Sequence, residues 1–247
     1  MLRKARIPDI PKFENGLPAL SRSEIEDLAD GLAVQFSPDI VTRPHPINMD
    51  AFIEHFLGYD QDFLYLSHCG CYLGVTVFQD MKFPVFNIET FKPEFADIPA
   101  NTIIIDAMLY NQMEQSGHQG RFRFTQAHEC GHAIMHGDFY KALAEDVKRA
   151  KQQLAAYSTG ECYSAVLDAD VSNQAEQQAN YFASCLLMPR SAVKSLIEEY
   201  QAENWSDYDL LLLVKETFNT SWESTFYRLK DMGYMEGEKF NWESLRS

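Results

Sequence analysis

The period of the hydrophobic positions changes twice along the chain, and each change marks a change of architecture. Residues 1–20 show no period and hold Pro8, Pro11 and Pro18, which predicts an extended arm. Ile25, Leu28, Ala29, Leu32, Ala33 and Phe36 then recur at helical spacing, behind Ser21 and Glu24 at the spacing of a capping box. Pro38, Pro44 and Pro46 break the chain, and Met49 to Leu57 reads as a second short helix stopped by Gly58. From about Phe63 to Asp106 the pattern shifts to short β-branched or aromatic runs, at Tyr72 to Phe78, Pro84 to Ile88 and Thr102 to Asp106. Gly, Pro, Asp and Asn separate these runs, as in a small sheet. The helical period then returns, with segments predicted at Thr125 to His136, Tyr140 to Ala156, Ser172 to Leu187, Ser191 to Tyr200, Tyr208 to Phe218 and Trp222 to Met232.

This order predicts an α+β fold, mainly helical, with a small mixed or antiparallel sheet ahead of the helix at Thr125. No internal repeat or low-complexity tract interrupts it. The expected organisation is an N-terminal arm and helix over 1–46, a core over 47–200, and a C-terminal helical segment over 201–247 packed on that core.

Composition changes the picture in one respect. The 247 residues include 46 % apolar and 13 % aromatic positions, enough for a hydrophobic core, yet 21 Lys+Arg stand against 36 Asp+Glu, for a net charge of −15. Such a chain repels phosphate backbones, and from Ser191 onward six basic residues face eleven acidic ones, so no local basic patch offsets the balance. Arg3, Lys4 and Arg6 are followed by Pro8, Asp9 and Pro11 where a signal peptide needs its apolar core, so no export signal is expected. Apolar runs such as Leu210 to Val214 are about a quarter of a membrane span. The five scattered cysteines fit reduced thiols and a cytoplasmic location. Cys69 and Cys71 form a C-x-C without a second pair at zinc-finger spacing, which favours a packed strand over a metal site.

The chemistry concentrates at His128-Glu129-Cys130-Gly131-His132. Four residues advance a helix by about 400°, so His128 and His132 lie on one face, one turn apart, where both imidazoles reach one tetrahedral metal. Glu129 sits one step round, placed to take a proton from an activated water without being a ligand; hence the reading of zinc ligand, general base, zinc ligand. Gly131, costly inside a helix, calls for close approach by a metal, a substrate or a crossing helix. A catalytic zinc needs a third protein ligand. His136 lies about 12 Å along the axis and about 80° around it from His128, too far to share the ion, and reads as a supporting or helix-end residue. The metzincin spacing fails, because its positions hold Met135 and Asp138. In the segment from Ser172, Glu176, Asn180, Ala183 and Leu187 fall on one face, a carboxylate and an amide followed by small and apolar contacts. Glu176 is therefore the expected third ligand, with Glu161, Asp168 and Asp170 as loop-borne competitors.

Residues 121 to 136, Arg-Phe-Arg-Phe-Thr-Gln-Ala-His-Glu-Cys-Gly-His-Ala-Ile-Met-His, resemble the "RFTLAHELGHxxLH" signature of the ImmA/IrrE family of zinc metallopeptidases. Glu176-Gln177-Gln178-Ala179-Asn180-Tyr181-Phe182-Ala183, continuing to Leu186-Leu187-Met188-Pro189, is similar to that family's "ExxANxFAxxLLMP". The resemblance covers roughly residues 45 to 235. It implies a zincin-like metallopeptidase core, Zn2+ as cofactor, His128, His132 and Glu176 as its ligands, and Glu129 as general base. It also implies an intracellular protein substrate, a helix-turn-helix transcriptional repressor. Cys130 and Gln126 depart from the usual aliphatic residues, and Cys130 is open to a packing or a redox reading. For the oxyanion donor the candidates are Tyr163, Tyr181 and His136.

Leu211 to Phe218, the Asn219-Thr220-Ser221 turn and Trp222 to Met232 read as helix, turn, helix. Direct DNA binding is disfavoured, because Glu223, Arg228, Lys230 and Asp231 are a poor set for reading bases, and Trp222, Phe226 and Tyr227 suit packing on the body or on a partner. The expected activity is an endopeptidase, with a non-proteolytic, zinc-stabilised module that docks on a repressor as the alternative. A −15 surface would steer a basic repressor in while keeping the enzyme off nucleic acid.

Overall fold

The computed structural model describes residues 4–68, 70, 72–116, 119–145, 169–201 and 205–237. Cys69, Cys71, Glu161, Tyr163, Asp168 and the latter part of the helix expected to reach Ala156 lie outside the described residues. Asp170 belongs to a helix, not to a loop.

Helix α1, Arg22–Phe36, starts at a complete capping box: the Ser21 hydroxyl accepts from the Glu24 amide, and Glu24 Oε2 accepts from the Ser21 amide at 2.8 Å. Its buried stripe is Ile25, Leu28, Ala29, Leu32 and Ala33. Helix α2, Met49–Ala51, is capped by Asn48 and runs directly into a π-helical turn, Phe52–Leu57. Here the expected short helix is present, but its second half is wound more widely, and the Gly58 amide closes it on Ile53 O at 3.0 Å with φ of 78°. The wide turn accompanies burial of Phe52 and Phe56 against Phe36, with ring centroids 5.0 to 5.5 Å apart.

Five strands follow: β1 Asp60–Leu64, β2 Gly74–Val77, β3 Met81–Asn87, β4 Lys92–Ile98 and β5 Thr102–Asp106. They form a mixed three-stranded sheet in the order β1-β5-β2, with β1 parallel and β2 antiparallel to β5, and a separate β3-β4 antiparallel pair. The central strand β5 is buried on both faces. Ile103 and Ile105 join the main core on one side, and Ile104 packs with Val77 and Ile98 on the other. Asp106 ends the strand and caps the next helix, α3, Ala107–Ser116: its Oδ1 accepts from the Met108 amide at 3.0 Å.

Helix α4, Gln119–Met135, is followed by a helical stretch over residues 137–145. Helices α5, Ala169–Leu187, α6, Arg190–Tyr200, α7, Asp207–Phe218, and α8, Trp222–Asp231, complete the described residues. The main core gathers α1, β5, α4 and α5 together with Leu211, Val214 and Phe218 of α7 and Phe226 and Leu229 of α8. The fold is thus α+β and mainly helical, with the mixed sheet ahead of α4. Among the described residues no helix is long and apolar enough to cross a membrane.

Candidate metal centre

Helix α4 is held in place by its own motif residues. The half-buried Arg123 guanidinium donates to Ile47 O at 2.8 Å and to Asn219 O at 3.1 Å, and desolvation lowers its pKa to about 10. Gln126 is 1 % exposed, and its amide donates to Asp50 Oδ1 at 2.7 Å and Gln61 Oε1 at 3.0 Å, tying α4 to α2 and β1. That pocket is polar, which accounts for an amide where the family signature has Leu. Helix α5 crosses α4 at Gly131. A Cβ there would lie 3.1 Å from Ala179 Cα and 3.2 Å from the Phe182 ring, so of the three reasons for a glycine the crossing helix is the one met.

The crossing brings His128, His132 and Glu176 together. Their ligand atoms all lie within 4.8 Å of one another. The two imidazole Nε2 atoms are 2.9 Å apart, Glu176 Oε2 is 3.2 Å from His128 Nε2, and Glu176 Oε1 is 3.4 Å from His132 Nε2. Tetrahedral ligands at zinc distances stand about 3.3 Å apart, so the donor set fits such an ion in both spacing and chemistry. Hydrogen bonds from His128 and then His132 hold the half-exposed Glu176 well below the usual carboxylate range. Burial pulls the His128 imidazole down, but Glu176, Glu129 and Asn180 outweigh it and leave the group above its ordinary value.

Glu129 points into the same space from β2's side. Its carboxylate accepts from the Thr76 hydroxyl at 2.7 Å, and Gly74 lies so close that a Cβ there would meet Glu129 Oε1 at 2.7 Å. Burial pushes Glu129 up, and His132, His128 and Thr76 pull it back part of the way. These residues line an open cleft of about 490 Å³, with Tyr140 on its wall. The Tyr140 hydroxyl donates to Glu176 Oε1 at 3.2 Å, and burial and that carboxylate raise its own pKa. Thr76, Gly74 and Tyr140 have no signature in the sequence beyond their residue types, because contacts 36 and 53 residues apart set their roles.

The remaining candidates fall in different places. Asn180 Oδ1 accepts from His128 Nδ1 at 3.0 Å, which leaves Nε2 as that ring's free lone pair. His136 is 0 % exposed and lies behind His132, meeting its Nδ1 at 3.1 Å, so it is not a ligand and does not face an oxyanion in the cleft; burial, then His132, lowers its pKa to about 4. Tyr181 lines a separate groove, with Arg22 4.1 Å above its ring, because on α5 it sits one position round from Asn180. Cys130 is 0 % exposed in the core, and burial raises its thiol well above the ordinary range, which makes it a packing residue.

Residues 113–230 match the family model Peptidase_M78, described as the IrrE N-terminal-like domain. The matched segment of the chain contains the whole His128, His132 and Glu176 cluster, so the peptidase-domain match and the candidate metal centre fall on the same helices. A search of curated proteins gives no match.

Proposed function

We propose that the protein is a zinc-dependent endopeptidase in which His128, His132 and Glu176 hold the metal and Glu129 is the general base. The observation that carries this reading is the open cleft that Glu129 and the three-residue cluster share. A structural zinc site is closed by four protein ligands, whereas a catalytic one keeps a position open. The zinc-staple alternative also leaves unexplained a carboxylate that is 4 % exposed yet lines the cleft.

When bound, zinc supplies Lewis-acid polarisation of the scissile carbonyl and of the attacking water. Glu129, fixed by Thr76, accepts the proton of that water and passes it to the leaving amine. Its pKa, raised by burial, brings the carboxylate closer to the proton affinity that a base at neutral pH requires. Tyr140 holds the Glu176 carboxylate in place from the cleft wall. Strand β2 lines the same cleft, and among the described residues no strand pairs with its second edge, so an extended peptide can add to it by main-chain hydrogen bonds.

The specific substrate we infer is a helix-turn-helix repressor inside the cell. Its support is the family resemblance together with a −15 charge that complements a basic partner. The direct test is incubation of the zinc-loaded chain with basic helix-turn-helix repressors. Glu129→Gln is expected to keep zinc and to lose cleavage by at least about 100-fold. Cleavage by that variant at the parental rate would remove Glu129 from the mechanism.

A further inference from the structure

We propose that the N-terminal arm completes the metal centre, with Gln178 and His136 acting as positioning residues that fix the tautomer of His132. This rests on the reading of His132 as a metal ligand. The chain of contacts is continuous. The Gln178 side-chain nitrogen donates to Pro18 O at 3.1 Å, Gln178 Oε1 faces His136 Nε2 at 3.0 Å, and His136 Nδ1 faces His132 Nδ1 at 3.1 Å.

Each contact dictates the next. A backbone carbonyl only accepts, so Pro18 O requires the amide nitrogen of Gln178 on its side and leaves the amide oxygen toward His136. That oxygen also only accepts, so His136 Nε2 carries the hydrogen. In the neutral ring Nδ1 is then a lone pair, and it accepts from His132 Nδ1–H. The remaining nitrogen of His132, Nε2, is left as the lone pair that faces His128 Nε2 and Glu176. With the amide of Gln178 turned round, two oxygens would face each other at Pro18 and every tautomer downstream would invert, placing a hydrogen on the ligand atom of His132.

The arm is built to hold its carbonyl there. Leu17 is 2 % exposed and packs with Phe139 and Ala175, Lys12 pairs with Asp138 at 2.5 Å, and a bridge between Lys12 and Pro18 closes the arm on itself. Pro18 lies outside the matched segment 113–230, and Gln178 falls at a position that the family signature leaves open. His136 is the closing histidine of that signature, so the relay joins a signature residue to two positions outside it.

The test uses the zinc-loaded full chain. Histidine ring 15N NMR is expected to show His136 as the Nε2–H tautomer; a hydrogen on its Nδ1 would overturn the relay. Competition with a chelator then reads zinc affinity. Gln178→Met, which keeps the shape but accepts poorly, is expected to weaken zinc by about 10- to 100-fold. Gln178→Glu, whose buried carboxyl in its protonated form donates to Pro18 O and still offers His136 an acceptor oxygen, is expected to stay near the parental value. Equal losses in the two variants would mean a packing role only, and no loss in either would also overturn the proposal. Releasing the arm with Leu17→Asp is expected to weaken zinc in the parent and to have little effect in the Gln178→Glu background; equal effects in both would remove the arm from the relay. A parent whose zinc affinity is unmoved by His132→Ala would sink the ligand reading itself, whereas a parent sensitive to that change but not to Gln178→Met would sink the relay alone.

Discussion

Thr76 is the residue whose role is most sharply set by its surroundings. Its hydroxyl has one hydrogen and two acceptors within reach, Glu129 Oε2 at 2.7 Å and Glu129 O at 3.0 Å, and the nearer, charged oxygen has the stronger claim on it. Removing that hydrogen leaves the buried carboxylate short of a partner and free to turn. Thr76→Val, nearly isosteric, is expected to lower kcat roughly tenfold while zinc content and fold persist, since a lost hydrogen bond to a buried charge costs about 1 to 3 kcal/mol. Single-turnover cleavage alongside metal analysis checks it. An unchanged kcat would show that the cleft holds Glu129 without this hydroxyl.

At the scale of elements, the C-terminal helices are tied to the first one by a buried ion pair. Arg228 of α8 is 0 % exposed; its Nη1 lies 2.6 Å from Glu26 Oε1 of α1, and its Nε donates to Met188 O at 3.0 Å, at the α5-α6 junction. Arg190 pairs with the other oxygen of Glu26. Because removing one partner strands a buried charge, Glu26→Ala is expected to destabilise the chain by about 3 to 5 kcal/mol, read by denaturant unfolding. A loss under about 1 kcal/mol would mean that the pair is solvated or replaceable. The sequence made some elements plain and hid others for physical reasons. The capping box at Ser21, the helical stripe of α1 and the β-branched run of β5 each carry their own period. β1 reads Asp-Gln-Asp-Phe-Leu and has no apolar alternation; it is a strand because it pairs with β5. β4 exposes Phe95 at 71 % and buries only its end, so it too lacks a face. α3 is rich in helix formers, but it is short and its polar second half leaves no apolar period to read, and the first six residues of α4 were hidden by Gly120 and the alternating Arg and Phe that follow it. His128 and His132 were legible because i and i+4 on a helix fixes their geometry, and Glu176 because a small-residue face invites a crossing helix. Thr76, Tyr140 and the Pro18 carbonyl were not, since no local pattern says which strand, helix end or arm meets α4.

For the molecule as a whole, the matched segment contains the three-residue cluster, while the open cleft is walled both by that segment and by β2 ahead of it. The arm and the sheet, both ahead of residue 113, supply the Pro18 carbonyl and Thr76 that brace that cluster and its base from two sides. The central claim is that one metal ion sits on two helices at His128, His132 and Glu176 while Glu129 stays out of the coordination sphere. The most direct measurement is the zinc content of the purified full chain beside that of Glu129→Gln and His132→Ala, each shown to be folded by circular dichroism. The account predicts about one zinc per chain in the parent and in Glu129→Gln, and a loss of most of it in His132→Ala. Equal zinc in all three, or none in the parent after zinc loading, would contradict it.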